Sequence, residues 1–217
     1  MPDLIFSVDT AEPIAFAASP TLALKLRVTN RPDDELIHSI VLQIQIQIEA
    51  TRRRYEPSNK LKLADLFGDP DRWSRTLRSM LWTNTNLVIP SFREQTATDL
   101  KIPCTFDFNV AATKYFHGVD DGEIPLNLLF SGTVFYSGTD GALQVAPIPW
   151  NKEARYRLPV AVWKTMMDDY YPNSTWLSIR RDVFERLYEF KIRNGIATWE
   201  EALERLIESS DREAVER

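Results

Sequence analysis

Between residues 40 and 49 the chain alternates without a break: Leu42, Ile44, Ile46 and Ile48 take one parity, and Gln43, Gln45, Gln47 and Glu49 take the other. A two-residue period over that length fits a β-strand and no helix. Its aliphatic face must be buried. The opposite face carries amides rather than charges, so it is wet or lies against a partner. A second alternating run at 22–29, with Leu22, Leu24, Leu26 and Val28 on one side, precedes it across a turn containing Asn30 and Pro32. The two runs make an antiparallel pair.

The same reading places strands at 5–9, 81–89, 98–111, 125–136, 143–148 and 154–158. Gly138 and Gly141 mark a hairpin loop between the sixth and seventh strands in chain order. About eight strands in series point to an antiparallel β-sandwich. The stretch 51–80 reads as a crossover, broken at Pro57 and carrying one short helix that starts near Pro70 and bears Trp73, Leu77 and Met80. After Pro159 the period becomes helical. Val162, Trp163, Met166 and Met167 form one stripe, and Val183, Phe184, Leu187, Tyr188 and Phe190 form a second, closed by Gly195. Thr198 and Glu201 have the spacing of a capping box for a third helix to about 209, before a polar, frayed tail. The expected architecture is a mainly β, α+β chain: a sandwich over residues 1–158, with a helical region over 159–217 packed on it.

Composition narrows the function classes. A chain of 217 residues with net charge −5 gives no electrostatic reason to expect nucleic acid. Seven glycines against thirteen prolines disfavour phosphate-cradling loops. One cysteine, Cys104, excludes an internal disulfide and a thiolate-rich metal site, and a reducing compartment follows. The N-terminal stretch has an acid at Asp3 and no apolar signal core, and no apolar run approaches ~20 residues, so a cytoplasmic chain with no membrane span is expected.

No cluster carries chemistry on its own. His38 and His117 stand far apart and read as hydrogen-bonding strand-end residues, and no cofactor is expected. The acids at 33–35, 120–123 and 168–169 lack a calcium-loop spacing and read as turn formers. Cys104, followed by Phe106 and Phe108, reads as a buried, inert thiol. Arg52, Arg53 and Arg54 head a basic group with Lys60, Lys62, Arg72, Arg75 and Arg78. Acids concentrate after Glu200. Opposed patches suit internal pairing or contact between subunits, and otherwise they are ordinary solvated faces. Of six tryptophans, Trp150 and Trp176 fall outside the apolar stripes.

Taken together, Leu129-Phe130-Ser131-Gly132-Thr133-Val134-Phe135-Tyr136, Ile148-Pro149-Trp150-Asn151-Lys152-Glu153-Ala154, Leu158-Pro159-Val160 with Trp163, Met167-Asp168, Pro172-Asn173 and Trp176-Leu177 resemble an uncharacterised actinobacterial family, a domain of unknown function. The likeness covers nearly the whole chain, and its strings define a fold rather than a reaction. What the resemblance implies is a gene neighbourhood shared with nickel-iron hydrogenases and their accessory proteins, with no catalytic residues to carry over.

The leading expectation is a non-enzymatic protein-interaction or accessory module with a protein partner, plausible in assembly or maturation of a redox enzyme. Its candidate protein-binding residues are Arg52, Arg53 and Arg54 on the basic side, and Trp150, Lys152 and Glu153 at the junction of sheet and helices. The alternatives are a small-ligand or carbohydrate-binding sandwich using Trp82 or Trp150, in one version a hydrolase with loop carboxylates, and a structural subunit of a homo-oligomer.

Overall fold

The apolar parity of the long strand does what its period requires. Ile40, Leu42, Ile44, Ile46 and Ile48 are all buried, and across the sandwich so are Leu22, Leu24, Leu26 and Val28. The computed structural model describes residues 2–31 and 35–215. Among them are eight strands: β1 (Asp3–Pro13), β2 (Thr21–Arg31), β3 (Ile37–Ile48), β4 (Met80–Ile89), β5 (Gln95–Pro103), β6 (Glu123–Ser137), β7 (Leu143–Pro147) and β8 (Glu153–Pro159). Six α-helices accompany them: α1 (Pro57–Phe67), α2 (Trp73–Thr76), α3 (Val110–Gly118), α4 (Val160–Tyr170), α5 (Arg181–Arg193) and α6 (Trp199–Val215). None of these helices is long and apolar enough to cross a membrane.

All strand pairs are antiparallel. One sheet has the order β1-β2-β5 and the other β4-β3-β6-β7, with β8 also pairing β6. The long β6 serves β3 on one side along its length and divides its other side between β8 and β7. Phe6 of β1 stacks on Phe130 of β6 with ring centroids 4.2 Å apart, closing the two sheets face to face. The eight-strand α+β architecture is the one the alternation predicts.

Contacts divide the chain into two compact units, Met1–Ser174 and Thr175–Arg217. The first holds both sheets and α1 to α4. Helix α4 begins directly after Pro159 and buries Val160, Trp163, Met166 and Met167 in the main core. Its Trp163 stacks on Phe116 of α3 at 4.8 Å, and Phe116 in turn meets Trp82 of β4 at 5.1 Å. The second unit is a hairpin of α5 and α6. Gly195, with φ of 63°, ends α5. The Gly195 amide donates to the Ile192 carbonyl, and the Ile196 amide donates to that of Lys191. This is a Schellman closure, with Ile196 buried behind it. Thr198 Oγ1 then accepts from the Glu201 amide at 3.2 Å and opens α6.

Three local expectations are corrected. The strand expected over 98–111 stops at Pro103, and Val110–Gly118 is helix α3. The Asn109 side chain starts that helix by accepting from the Ala112 amide at 3.0 Å, while its Nδ2 donates to the Leu81 and Trp82 carbonyls. The alternation of Cys104, Phe106 and Phe108 imitates a strand there. Pro57 does not break the chain but occupies the first turn of α1, where its missing N–H costs nothing. Helix α6 runs to Val215 rather than stopping near 209.

Gly132 of β6 lies opposite Leu42 at φ of 137°, and a Cβ there would come within 2.1 Å of the Val41 carbonyl oxygen. Substitution G132A therefore destabilises the fold by about 2 kcal/mol or more. Truncation of the buried face by I46A costs ~2–5 kcal/mol. Q45A on the opposite face costs within ~0.5 kcal/mol. Urea unfolding of the three variants checks this ranking.

Candidate functional site

The amide parity of β3 faces outward on the five-stranded sheet, and its neighbours extend it sideways. Register places Gln43 between Asn86 of β4 and Ser131 of β6, and Gln45 between Asn84 and Leu129. One row further, Val41 lies between Val88 and Thr133. The middle of this face therefore carries amides and a hydroxyl with no formal charge.

One edge of the face is built by the turn 149–152. The Lys152 amide donates to the Pro149 carbonyl at 3.2 Å. Two further bonds fix both ends to β6: Ile148 N–H to Gly132 O, and Phe130 N–H to Lys152 O, each 2.9 Å. Lys152 Nζ, well covered, pairs with Asp3 Oδ1 at 2.5 Å and ties the turn to β1. Held this way, Trp150 is 93% exposed. It borders an open groove of about 490 Å³ with Gln43, Gln45, Asn84, Asn86, Leu129 and Ser131. A tryptophan that contributes almost nothing to the core, on a turn fixed at both ends, is positioned for contact with something else.

The other candidate residues have different surroundings. Lys152 and Glu153 flank Trp150 but are engaged: Glu153 accepts from Asn127 Nδ2 at 3.1 Å and from Arg155 at 3.0 Å. The arginines follow the C-terminal end of β3 and do not line the groove. Arg52 pairs with Glu49 at 3.1 Å, and Arg54 is exposed, with no ion partner among the described residues. Arg53 is a clamp within the chain. Its side chain is 10% exposed, and its guanidinium donates to the Glu123 carbonyl at 2.5 Å and to that of Asp121. Of these six candidates only Trp150 lines the groove; Lys152 and Glu153 follow it in the chain, and the arginine triplet lies outside the lining.

The remaining reactive types are accounted for by burial and pairing. The Cys104 thiol is 4% exposed and is pushed up to about 12 by burial, so no thiolate is available near neutral pH. Trp82 is also 4% exposed and packs on Phe116, so it offers no face to a ligand. Tyr55 donates to the Ala50 carbonyl at 2.6 Å and therefore accepts from the Tyr115 hydroxyl at 2.7 Å. Burial pushes both phenols upward. Asp120 is held below the usual carboxylate range, first by its bond to Lys62 at 2.5 Å. Asp33 and Asp34 lie outside the described residues. Among the described residues no group of three or more His, Cys, Asp or Glu converges to hold a metal ion.

Phe16 gave no signal in the sequence. It sits at φ of 58°, fully exposed, on the loop between β1 and β2, where Tyr170 Oη donates to the Ala17 carbonyl at 2.7 Å. A single phenylalanine among ordinary loop residues carries no mark of a positive φ.

A family's sequence profile matches residues 1–215. The chain belongs to DUF6084, a family of unknown function. No curated protein matches the chain at the sequence level. Solved structures similar to it include a CARDB domain from Pyrococcus furiosus, determined with di-metal ions, at 11% identity and TM-score 0.29, covering 73% of this chain and 92% of that one. A late embryogenesis abundant protein has 14% identity and TM-score 0.32 over 73% of this chain and 72% of its own. Beta-glucosidase 3B from Thermotoga neapolitana has 12% identity and TM-score 0.25 over 72% of this chain and 17% of its own. Likeness at that level carries nothing about the ligand of a DUF6084 member.

His117 is stacked on Phe106 at 5.8 Å and set edge-on to Trp163 at 5.1 Å. Burial, reinforced by Lys164, lowers its pKa below 6.5. The unfolded chain then binds the proton more readily, so stability rises with pH through the region just below 6.5 and falls as the solution is acidified. Substitution H117F is expected to flatten that slope in unfolding curves taken between pH 7 and 5.

Proposed function

We propose that this DUF6084 member is a non-enzymatic accessory module that docks another protein on the outer face of its five-stranded sheet, with Trp150 as the anchor. The exposure of Trp150 beside an uncharged amide face carries this reading. Hot spots of protein interfaces are rich in tryptophan, and the cores of such interfaces are depleted in charge. Lys152 and Glu153 border the docking face as rim residues, and Arg52 and Arg54 offer a separate basic contact.

The partner in this proposal is a component or maturation factor of a larger cytoplasmic redox enzyme such as a nickel-iron hydrogenase. The support for that choice is the gene neighbourhood implied by the resemblance to the actinobacterial family.

One observation favours a second reading. Amides, a hydroxyl and a planar aromatic ring lining one groove are also the means of holding a carbohydrate, and the groove lining has no carboxylate, which favours binding over hydrolysis.

Affinity capture of the tagged chain from its native host, run beside the W150A variant, tests the proposal. The wild type should retain a hydrogenase subunit or maturation factor, and W150A should lose it. A drop of about 2 kcal/mol, some 30-fold in affinity, is expected at an anchor position, with unfolding stability within ~0.5 kcal/mol of wild type. Equal capture by both chains removes Trp150 from the account. Recovery of the chain alone, with W150A-sensitive retention on an oligosaccharide array, selects the carbohydrate reading.

A further inference from the structure

The hairpin of α5 and α6 presents an apolar face of its own. Phe184, Tyr188 and Ile192 follow at four-residue steps on α5, and Leu203 and Ile207 do so on α6. All five are exposed, Ile192 by 62% and Ile207 by 61%. Trp199 joins the two rows. It meets Phe184 at 5.2 Å and Tyr188 at 6.0 Å, and Lys191 Nζ lies 5.6 Å from its ring.

Charge along this face is one-sided. Glu200, Glu204, Ile207 and Asp211 are spaced four, three and four residues apart, so three acids line the α6 edge of the apolar face. None of the three has an ion partner among the described residues. Most other charges of the hairpin are engaged elsewhere: Arg205 with Glu201 at 2.6 Å and Arg212 with Glu208 at 3.5 Å on α6, and Arg193 with Glu189 at 3.5 Å on α5, while Arg186, two residues from both Phe184 and Tyr188, falls on the opposite side of α5. The cations that α5 offers on this face are also taken, Arg181 by Glu185 at 2.9 Å and Lys191 by the Trp199 ring.

We infer that this face is a docking surface for a basic amphipathic helical segment of another protein. A second copy pairing through this same face would set acid against acid, so it supplies apolar area without countercharge. A segment with leucine-like residues on one side and lysines or arginines along its flank satisfies both halves of the surface. Helices of 13 and 17 residues are roughly 20 and 25 Å long, which accommodates three to four turns of such a segment. This surface is independent of Trp150.

Titration calorimetry of the full chain with two synthetic peptides of about 14 residues tests the inference. Both carry leucines at helical spacing, with lysines on the remaining face of one and glutamates on the other. The lysine peptide should bind with micromolar affinity that weakens as salt rises, and the glutamate peptide should not bind. Affinity for the lysine peptide should fall at least tenfold in the triple variant E200K, E204K and D211K. It should fall by a similar factor in I207D, both checked for retained helicity by circular dichroism. Absent binding, or affinity unchanged in either variant, overturns the inference. So does a wild-type dimer in light scattering that I207D converts to monomer, because a second copy would then occupy the face.

Discussion

The burial of one parity of β3 is the constraint on which the rest of this molecule rests. Ile40, Leu42, Ile44, Ile46 and Ile48 lie between a partner strand on each side, β4 and β6, with the β1-β2-β5 sheet behind them. A slip of one residue would turn every isoleucine outward and every glutamine inward. That register also decides what the opposite parity can be. Because the aliphatic positions are committed to the core, Gln43 and Gln45 must lie on the surface, and β4 and β6 meet them there with Asn84, Asn86 and Ser131.

In the proposed reading, folding and recognition are separated on a single strand. The buried parity supplies stability, while the exposed parity supplies a polar surface that is uncharged at its middle. The turn 149–152 completes it with a tryptophan that the core does not use. Its anchoring is backbone-based, through Gly132 and Phe130, so the side chain at position 150 is free of structural duty. Glycine at 132 has a double role, since the strand can approach Val41 so closely only without a Cβ.

Much of this was legible in the sequence because it depends on local periodicity. The strands at 22–29 and 40–49, the Gly138–Gly141 hairpin and the Gly195 helix end all announce themselves within a few residues. Trp150 stood out because it belonged to no stripe. What escaped depended on distant partners. Arg53 reads as one of three equal surface arginines, yet the carbonyls it clamps belong to Asp121 and Glu123, and nothing near position 53 reports them. Helix α3 was hidden because Cys104, Phe106 and Phe108 alternate like a strand, while its start is fixed by Asn109 bonding to β4. The acidic edge of α6 was visible as composition. That Glu200, Glu204 and Asp211 have no ion partner among the described residues was not legible there, because it depends on which acids the cations of the hairpin meet.

The most direct test of the central claim, that the outer face of β3 and its neighbours serves recognition, is hydroxyl-radical footprinting of the full chain alone and with its captured partner. In the free chain Trp150 should be oxidised far faster than Trp82 and Trp163, in keeping with their burial. On addition of the partner, the account predicts that Trp150 becomes strongly protected while the exposed Phe16 is unchanged. Partner binding that leaves Trp150 oxidation unaltered would contradict it.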